Sequence, residues 1–507
     1  MTAMDKRKGL LNISVSLGFK ILMMVVVIIV KRYLIQFCGN EVNGLNSLYV
    51  SIIGFLSVAE LGVGSAITFC MYKPIVEEKK ETVAALYHLF NKIYLIVGAI
   101  VLTSGLVLVP FIPFLAKDYD SLDVNLYVTF FLMLISVVLT YGYSAKSSLI
   151  IAHKNNYITT AISSSGMLLQ YGLQILVLFL TRSFEWYLIC RIISALAQGI
   201  ATNMIVRKKY RDILTGERKK LDADIKNGLL KSIKSMFMHK IGGLLVNTVD
   251  SLVISIFVGV VVLGEYSNYV AIVQSVTNII ALVFTSITSI LGHLYVESNK
   301  DVARKYSDAF HLLNFILGMI FYLGYYSVAD NLISILFSPD LVIEKSLSLV
   351  IAMNGFVQFM RKSTLTFRDA TGTFYYDRWK PLAEGAANIV LSVLFVNWIG
   401  VMGVIVATII TNLFICHMVE PYVLYKHAFS VSPMNYYKNN YLMICCFFAA
   451  LLLLDCCMQS CKNIFVELLI NGTISICISV PICLIAIVLK RKTCGQIFMH
   501  FLKRKKN

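Results

Sequence analysis

Apolar residues along this chain come in long blocks, broken by short charged or glycine-containing stretches. A helix needs about 20 predominantly apolar residues to cross the hydrocarbon core of a bilayer. With that length as a ruler, the sequence offers fourteen candidate spans, near 10–36, 45–71, 93–115, 125–151, 157–180, 185–205, 236–259, 268–294, 309–337, 346–370, 382–398, 400–423, 440–458 and 464–489. Polar residues interrupt the tenth and eleventh most. Period-two alternation is absent, and an open sheet cannot satisfy its backbone in lipid, so the spans are predicted to be helices. The expected fold class is an all-α polytopic membrane protein.

Composition agrees. Of 507 residues, 58% are apolar and 14% are charged, against about 25% charged in soluble domains. That excludes a soluble enzyme, a secreted disulfide scaffold and a disordered tail protein. The net charge of +17 does not suggest a nucleic-acid partner, because no soluble basic face remains to carry one. It reports orientation instead. With the N-terminus in the cytoplasm, cytoplasmic segments hold about 32 of the cations. Ten of them fall between Arg207 and Lys234 and seven between Lys490 and Lys506. The outward loops hold Lys117, Arg182, Lys345 and Lys462. Both termini are therefore expected to be cytoplasmic.

Those outward loops are short and leave no room for an external catalytic domain. The first apolar run follows Lys6-Arg7-Lys8 and continues past signal-peptide length, so no cleavable leader is expected. The twelve cysteines lie mostly inside apolar runs. The densest group, Cys456, Cys457 and Cys461, reads as buried or interfacial thiols rather than a metal site or disulfide. No GxxxxGK[ST] stretch occurs, which argues against ATP hydrolysis. No metal or cofactor is expected.

An internal repeat appears at an offset of 220 residues. Gly44–Ile100 aligns without gaps to Gly264–Ile320 with 15 identities in 57 positions, among them Gly44/Gly264, Tyr49/Tyr269, Thr68/Thr288, Lys80/Lys300 and Gly98/Gly318. The same offset places Lys20 on Lys240. Each half then holds six spans, and six is even, so the halves are parallel repeats about an axis along the membrane normal. The expected organisation is an N-lobe at 1–205, a basic cytoplasmic linker at 206–234, a C-lobe at 235–425, and a final helix pair with a basic tail at 426–507. Two facing lobes would enclose a cavity able to open to either side.

Ionisable residues inside spans are costly and normally face a bundle interior or an aqueous cavity. Asn12, Ser16 and Lys20 share one helical face in span one, and His239, Gly243, Asn247 and Asp250 share one in span seven. Lys20 and Lys240 have two readings: a pseudo-symmetric pair that attracts an anion, or side chains snorkelling to the cytoplasmic interface. Glu60, near the middle of span two, is read as a coupling group or as half of a structural ion pair, and Asp250 likewise. Asn354, Gln358, Arg361 and Arg368 share a face of span ten. An arginine fork suits phosphate oxygens, yet this end of the span is also where positive-inside anchoring places cations. Arg191 lies toward the outer side, where that rule cannot explain it, and is read as facing a cavity. Glu384 and Asn388 form an i, i+4 pair suited to partner an arginine. Thr160, Ser163, Gln170 and Gln174 line span five, suiting either a hydroxyl-rich ligand or helix packing.

Asn43–Ile75 (NGLNSLYVSIIGFLSVAELGVGSAITFCMYKPI) and Phe367–Phe395 (FRDATGTFYYDRWKPLAEGAANIVLSVLF) resemble the bacterial polysaccharide-biosynthesis flippases. These are the O-antigen and capsule repeat-unit translocases of the multidrug/oligosaccharidyl-lipid/polysaccharide exporter superfamily. The resemblance implies a flippase in the bacterial inner membrane, carrying undecaprenyl-pyrophosphate-linked oligosaccharide to the outer leaflet by alternating access through a cationic cavity. It implies a lipid-linked oligosaccharide and membrane lipid as partners, with polysaccharide assembly proteins beside them. Glu60 lies in the matched AELG stretch and Arg368 in the matched FRDA stretch. Two other readings remain open: a Na⁺- or H⁺-coupled multidrug exporter of the same fold, and a membrane enzyme acting on lipid-linked sugars.

Overall fold

The computed structural model describes residues 3–60, 63–119, 123–153, 155–215, 248–297 and 299–490, and contains helices and turns but no strand among them. The chain divides into two compact units, Met1–Gly264 and Glu265–Asn507. The first contains α1 (Ala3–Cys38), α2 (Asn40–Leu56), α3 (Val63–Val76), α4 (Lys80–Leu108), α5 (Ile112–Leu115), α6 (Leu126–Ala152), α7 (Asn156–Thr181), α8 (Phe184–Lys209), α9 (Arg211–Thr215) and α10 (Thr248–Val258). It also includes the first turn of α11 (Val260–Glu297). The second unit continues with α12 (Lys300–Leu336), α13 (Lys345–Thr371), α14 (Lys380–Thr411), α15 (His417–Val423), α16 (Met434–Cys457) and α17 (Ile464–Leu489).

Each of the fourteen predicted spans falls on helix wherever it is described. Eight stretches among the described residues are long and apolar enough to cross a membrane on those criteria alone. Burial is arranged as a bilayer requires. Large apolar side chains such as Val107, Phe114, Leu180, Trp398, Leu469 and Leu489 are exposed, while Asn388, Asn412, Asn440 and Asn471 are buried. In water that would be an inverted surface; in lipid the apolar side chains meet hydrocarbon, and the amide groups of these four residues donate to partners inside. The chain is a multi-pass membrane protein.

Local chemistry sets the helix ends. The Asn125 side chain accepts from the Tyr127 and Val128 amides at 3.1 Å each and starts α6. Asn299 does the same for α12 through the Val302 amide, at 2.9 Å. Gly400, at φ 58° and ψ −139°, lets the chain reverse inside the stretch assigned to α14, a conformation accessible essentially to glycine. That reversal lies between the eleventh and twelfth predicted spans. Span two, in contrast, is not one helix. α2 stops at Leu56 and a 3₁₀ turn, Ser57–Glu60, precedes α3. Glu60 therefore lies at a break in the span rather than in the middle of a continuous helix.

The repeat is visible in backbone geometry. Gly39 (φ 92°) links α1 to α2 and Gly259 (φ 136°) links α10 to α11, and the two are 220 residues apart. Five residues further on, Gly44 and Gly264 bring the starts of α2 and α11 together within the first unit. A Cβ on Gly44 would overlap the Val260 carbonyl oxygen and lie 2.9 Å from the Gly264 nitrogen; one on Gly264 would overlap the Asn40 carbonyl oxygen. Because 44 corresponds to 264 and 40 to 260, the crossing is pseudo-symmetric. Asn40 Nδ2 donates to the Val261 carbonyl at 3.1 Å and Asn43 Nδ2 to the Gly264 carbonyl at 3.2 Å.

Candidate functional site

Among the described residues, a half-buried cationic cavity in the first unit and a buried ionic quartet in the second carry the chemistry of interest, and their charge balance separates them.

In the first unit a cavity of about 260 Å³ is lined from four helices, principally by Lys31 on α1, Asn46 and Ser47 on α2, Gln170 and Tyr171 on α7, and Tyr187 and Arg191 on α8. α1 is close to its C-terminal end here and α2 and α8 are close to their N-terminal ends, while α7 contributes from the C-terminal half of its length, so the cavity lies toward one end of these helices. With cytoplasmic termini that end would face outward. Helical spacing supplies the lining: Val27, Lys31 and Leu34 form one stripe of α1, and Asn43, Asn46, Ser47 and Val50 one stripe of α2. Among the described residues the electrostatic neighbours of Arg191 are the Tyr171 and Tyr187 hydroxyls rather than a carboxylate. The Asn46 amide oxygen is buried without a donor. The cavity thus presents cations, amides and hydroxyls, with no acidic residue in its lining. That lining is complementary in charge and hydrogen bonding to an anion carrying hydroxyl groups.

The second unit holds the opposite case. Arg361 on α13 grips Glu420 on α15 with both arms of its fork, Nη2 at 2.6 Å from Oε1 and Nε at 3.2 Å from Oε2. Its Nη1 reaches Glu384 Oε1 at 3.1 Å and Asn412 Oδ1 at 2.6 Å. Lys380, at the start of α14, completes the set. Its Nζ lies 2.8 Å from Glu384 Oε2, 2.6 Å from Glu420 Oε1 and 3.5 Å from Cys416 Sγ. Two cations meet two carboxylates, and the quartet is neutral. Its three helices are fastened by charge-assisted bonds. π-helical segments, Asn412–Cys416 and Leu424–Phe429, flank α15, which contains Pro421; proline lacks the N–H needed to continue the α-helical ladder.

The remaining sequence candidates are distributed around these two sites. Gln358 Nε2 donates to Asn354 at 3.1 Å along the same face of α13. Arg368 holds the turn after α13 by pairing with Asp377 at 2.8 Å and Asp369 at 3.1 Å. Glu60 neighbours Tyr94 and Tyr141, and the Tyr141 hydroxyl donates to Ser57 Oγ at 3.3 Å. Asp250 is buried in α10. Lys20 lies on α1, but its side chain, together with Lys240 and Asn247, is outside the described part of the structure. Among the described residues no group of three or more His, Cys, Asp or Glu side chains is placed to hold a metal.

Sequence reasoning did not single out Lys31, Lys380 or Glu420. Lys31 had a usable signal, since it follows Lys20 by eleven residues, three helical turns, on the same face of α1. Lys380 and Glu384 are an i, i+4 opposite-charge pair. Glu420 offered only an acid inside an apolar span, with nothing local to show that an arginine 59 residues earlier would meet it.

No curated protein sequence matches the chain. Among solved structures, the lipid II flippase MurJ in an inward closed conformation is similar with a TM-score of 0.65 and 14% identity, over 95% of this chain and 99% of that one. An inward-facing multidrug resistance MATE family transporter of the MOP superfamily gives 0.64 and 12%, over 84% and 95%. A single-residue mutant of the Vibrio cholerae MATE transporter VcmN gives 0.52 and 12%, over 86% and 95%. At such identities the likeness is one of fold. The sequence itself matches the family model described as polysaccharide biosynthesis protein over residues 6–290, more than half of its length, and the chain belongs to that family.

Proposed function

We propose that this protein is a flippase that moves undecaprenyl-pyrophosphate-linked oligosaccharide repeat units from the inner to the outer leaflet of the bacterial inner membrane. Both termini are cytoplasmic in this reading, two six-helix lobes alternate in access, and polysaccharide assembly proteins use the product. Family membership supports a place in polysaccharide biosynthesis, and the fold is shared with a lipid II flippase. The observation that carries the reading to a substrate is the first-unit cavity. Arg191 and Lys31 line it with Gln170, Asn46 and Ser47 and without an acid. A guanidinium held in a membrane bundle away from carboxylates is costly unless an anion or water answers it. A diphosphate supplies the anion, and sugar hydroxyls can donate to the Asn46 oxygen.

The same sign argues against an exporter of organic cations, which needs acidic lining to compensate its cargo. Reconstitution decides between them. Proteoliposomes containing a fluorescent lipid-linked oligosaccharide should show transfer between leaflets, read by loss of protection from a membrane-impermeant quencher. Transfer no faster than in protein-free vesicles, together with efflux of a cationic dye, overturns the proposal.

A further inference from the structure

The second-unit quartet contains an ammonium where a bound ion would otherwise be required. Glu384, Glu420 and Arg361 alone carry a net charge of −1, buried among three helices. Arg361 takes Glu384 Oε1 and both oxygens of Glu420. Beside it lies a small acceptor shell of Glu384 Oε2, Cys416 Sγ and Glu420 Oε1, the last shared with Arg361 Nη2, and Lys380 Nζ fills it with one hydrogen toward each. The four side chains keep between 1% and 14% of their exposure, so solvent does little to balance the charge. Lys380 is also in the first turn of α14, where the helix dipole disfavours a cation. The carboxylates hold it there against that field.

We propose that Lys380 is a tethered monovalent cation, its ammonium occupying a potassium-sized site between Glu384 and Glu420. The lysine is anchored to α14, so its charge cannot dissociate, and the second unit takes up no free ion at this point. Ammonium and potassium have similar radii, and the 2.6 and 2.8 Å approaches to oxygen suit potassium or rubidium better than the smaller sodium. Removing the side chain beyond Cβ should therefore open a site selective for the larger ions. This inference concerns the quartet alone and does not depend on what the protein transports.

The test uses the full-length purified chain. K380A should unfold at a lower temperature than wild type in choline chloride and recover in KCl or RbCl at equal ionic strength, with less recovery in NaCl. It should bind one radioactive rubidium ion per chain, and K380A/E420Q should bind none. Wild type should unfold at the same temperature in choline and potassium salts and bind no rubidium. K380A/E384Q, which has the same net charge as wild type, should fold with no ion requirement. The proposal is overturned if K380A responds equally to all salts. It is also overturned if K380A remains unfolded in potassium while K380A/E384Q folds, because potassium then does not replace the ammonium. Rubidium binding to wild type that E420Q abolishes overturns it too, since the ammonium would not be the resident cation.

Discussion

The crossing of α2 and α11 gives the sharpest test of the geometry. Gly44→Ala adds one methyl at a position where a Cβ overlaps the Val260 carbonyl oxygen and lies 2.9 Å from the Gly264 nitrogen. Neither neighbour is the end of a flexible side chain; both are backbone of another helix, so the helices themselves must separate. Overpacking of this kind costs about 1–3 kcal/mol. Separation also stretches the bonds from Asn40 to Val261 and from Asn43 to Gly264, at 3.1 and 3.2 Å, each worth about 0.5–1.5 kcal/mol. The expected loss is about 2–6 kcal/mol. Gly264→Ala should behave alike, because its Cβ would overlap the Asn40 carbonyl. Gly142 and Gly172 have nothing within 4 Å of an added Cβ and serve as controls. Alanine there should be neutral or stabilising, by up to about 1 kcal/mol from helix propensity. The assay is thermal unfolding in detergent, followed by loss of the monodisperse chromatographic peak. If G44A and G142A melt together, the close crossing is wrong.

Three further outcomes are expected. R191A should abolish most leaflet transfer, and R191K should retain part, with unfolding temperature unchanged or raised because a half-buried cation with no carboxylate in its cavity is removed; wild-type transfer by R191A would refute the anion site. R361M leaves two buried carboxylates facing one ammonium and should cost about 3–5 kcal/mol, whereas R361M/E384Q restores the charge balance and should recover much of it in the same unfolding assay. K20A/K240A should abolish translocation while arginines at both positions keep part of it, and unimpaired polysaccharide export by a stably expressed double variant would remove these lysines from the substrate path.

Much of the fold was legible because lipid imposes one rule on every segment. A span must be long, apolar and helical, and the hydropathy blocks therefore follow the helices closely. Even the reversal at Gly400 was visible, as a gap between two predicted spans. The break at Ser57–Glu60 was not, because Val58 and Ala59 keep the stretch apolar while the backbone leaves the α-helix. The repeat was read from identities beginning at Gly44, but its structural start is five residues earlier. Phe37/Phe257, Gly39/Gly259 and Val42/Val262 are also identical at this offset, but only the positive φ shared by the two glycines shows that they mark the start of the repeat. The sites were less legible than the helices. A helical-face argument can place Asn354, Gln358 and Arg361 on one stripe, but it cannot say which charge another helix will bring opposite that stripe.

That missing information decides the function of each cation. On sequence alone both Arg361 and Arg191 are candidates for phosphate, Arg361 with positive-inside anchoring as its alternative and Arg191 without one. The structure gives Arg361 two carboxylates and an amide, leaving its fork no free face for a ligand. Any phosphate would have to displace Glu384 or Glu420, each a full negative charge already in contact. Buried pairs broken in that way cost several kcal/mol before the ligand contributes anything. Arg191 has tyrosine hydroxyls beside it and an open, amide-lined volume in front, so an incoming anion need not displace a carboxylate from its lining. In the proposed function the two arginines divide the work: Arg361 secures helices in the second unit, and Arg191 supplies the charge that meets the anion. Exchanging their environments on paper would exchange their roles, which is why net local charge, rather than residue type, is the quantity to compare across members of this family.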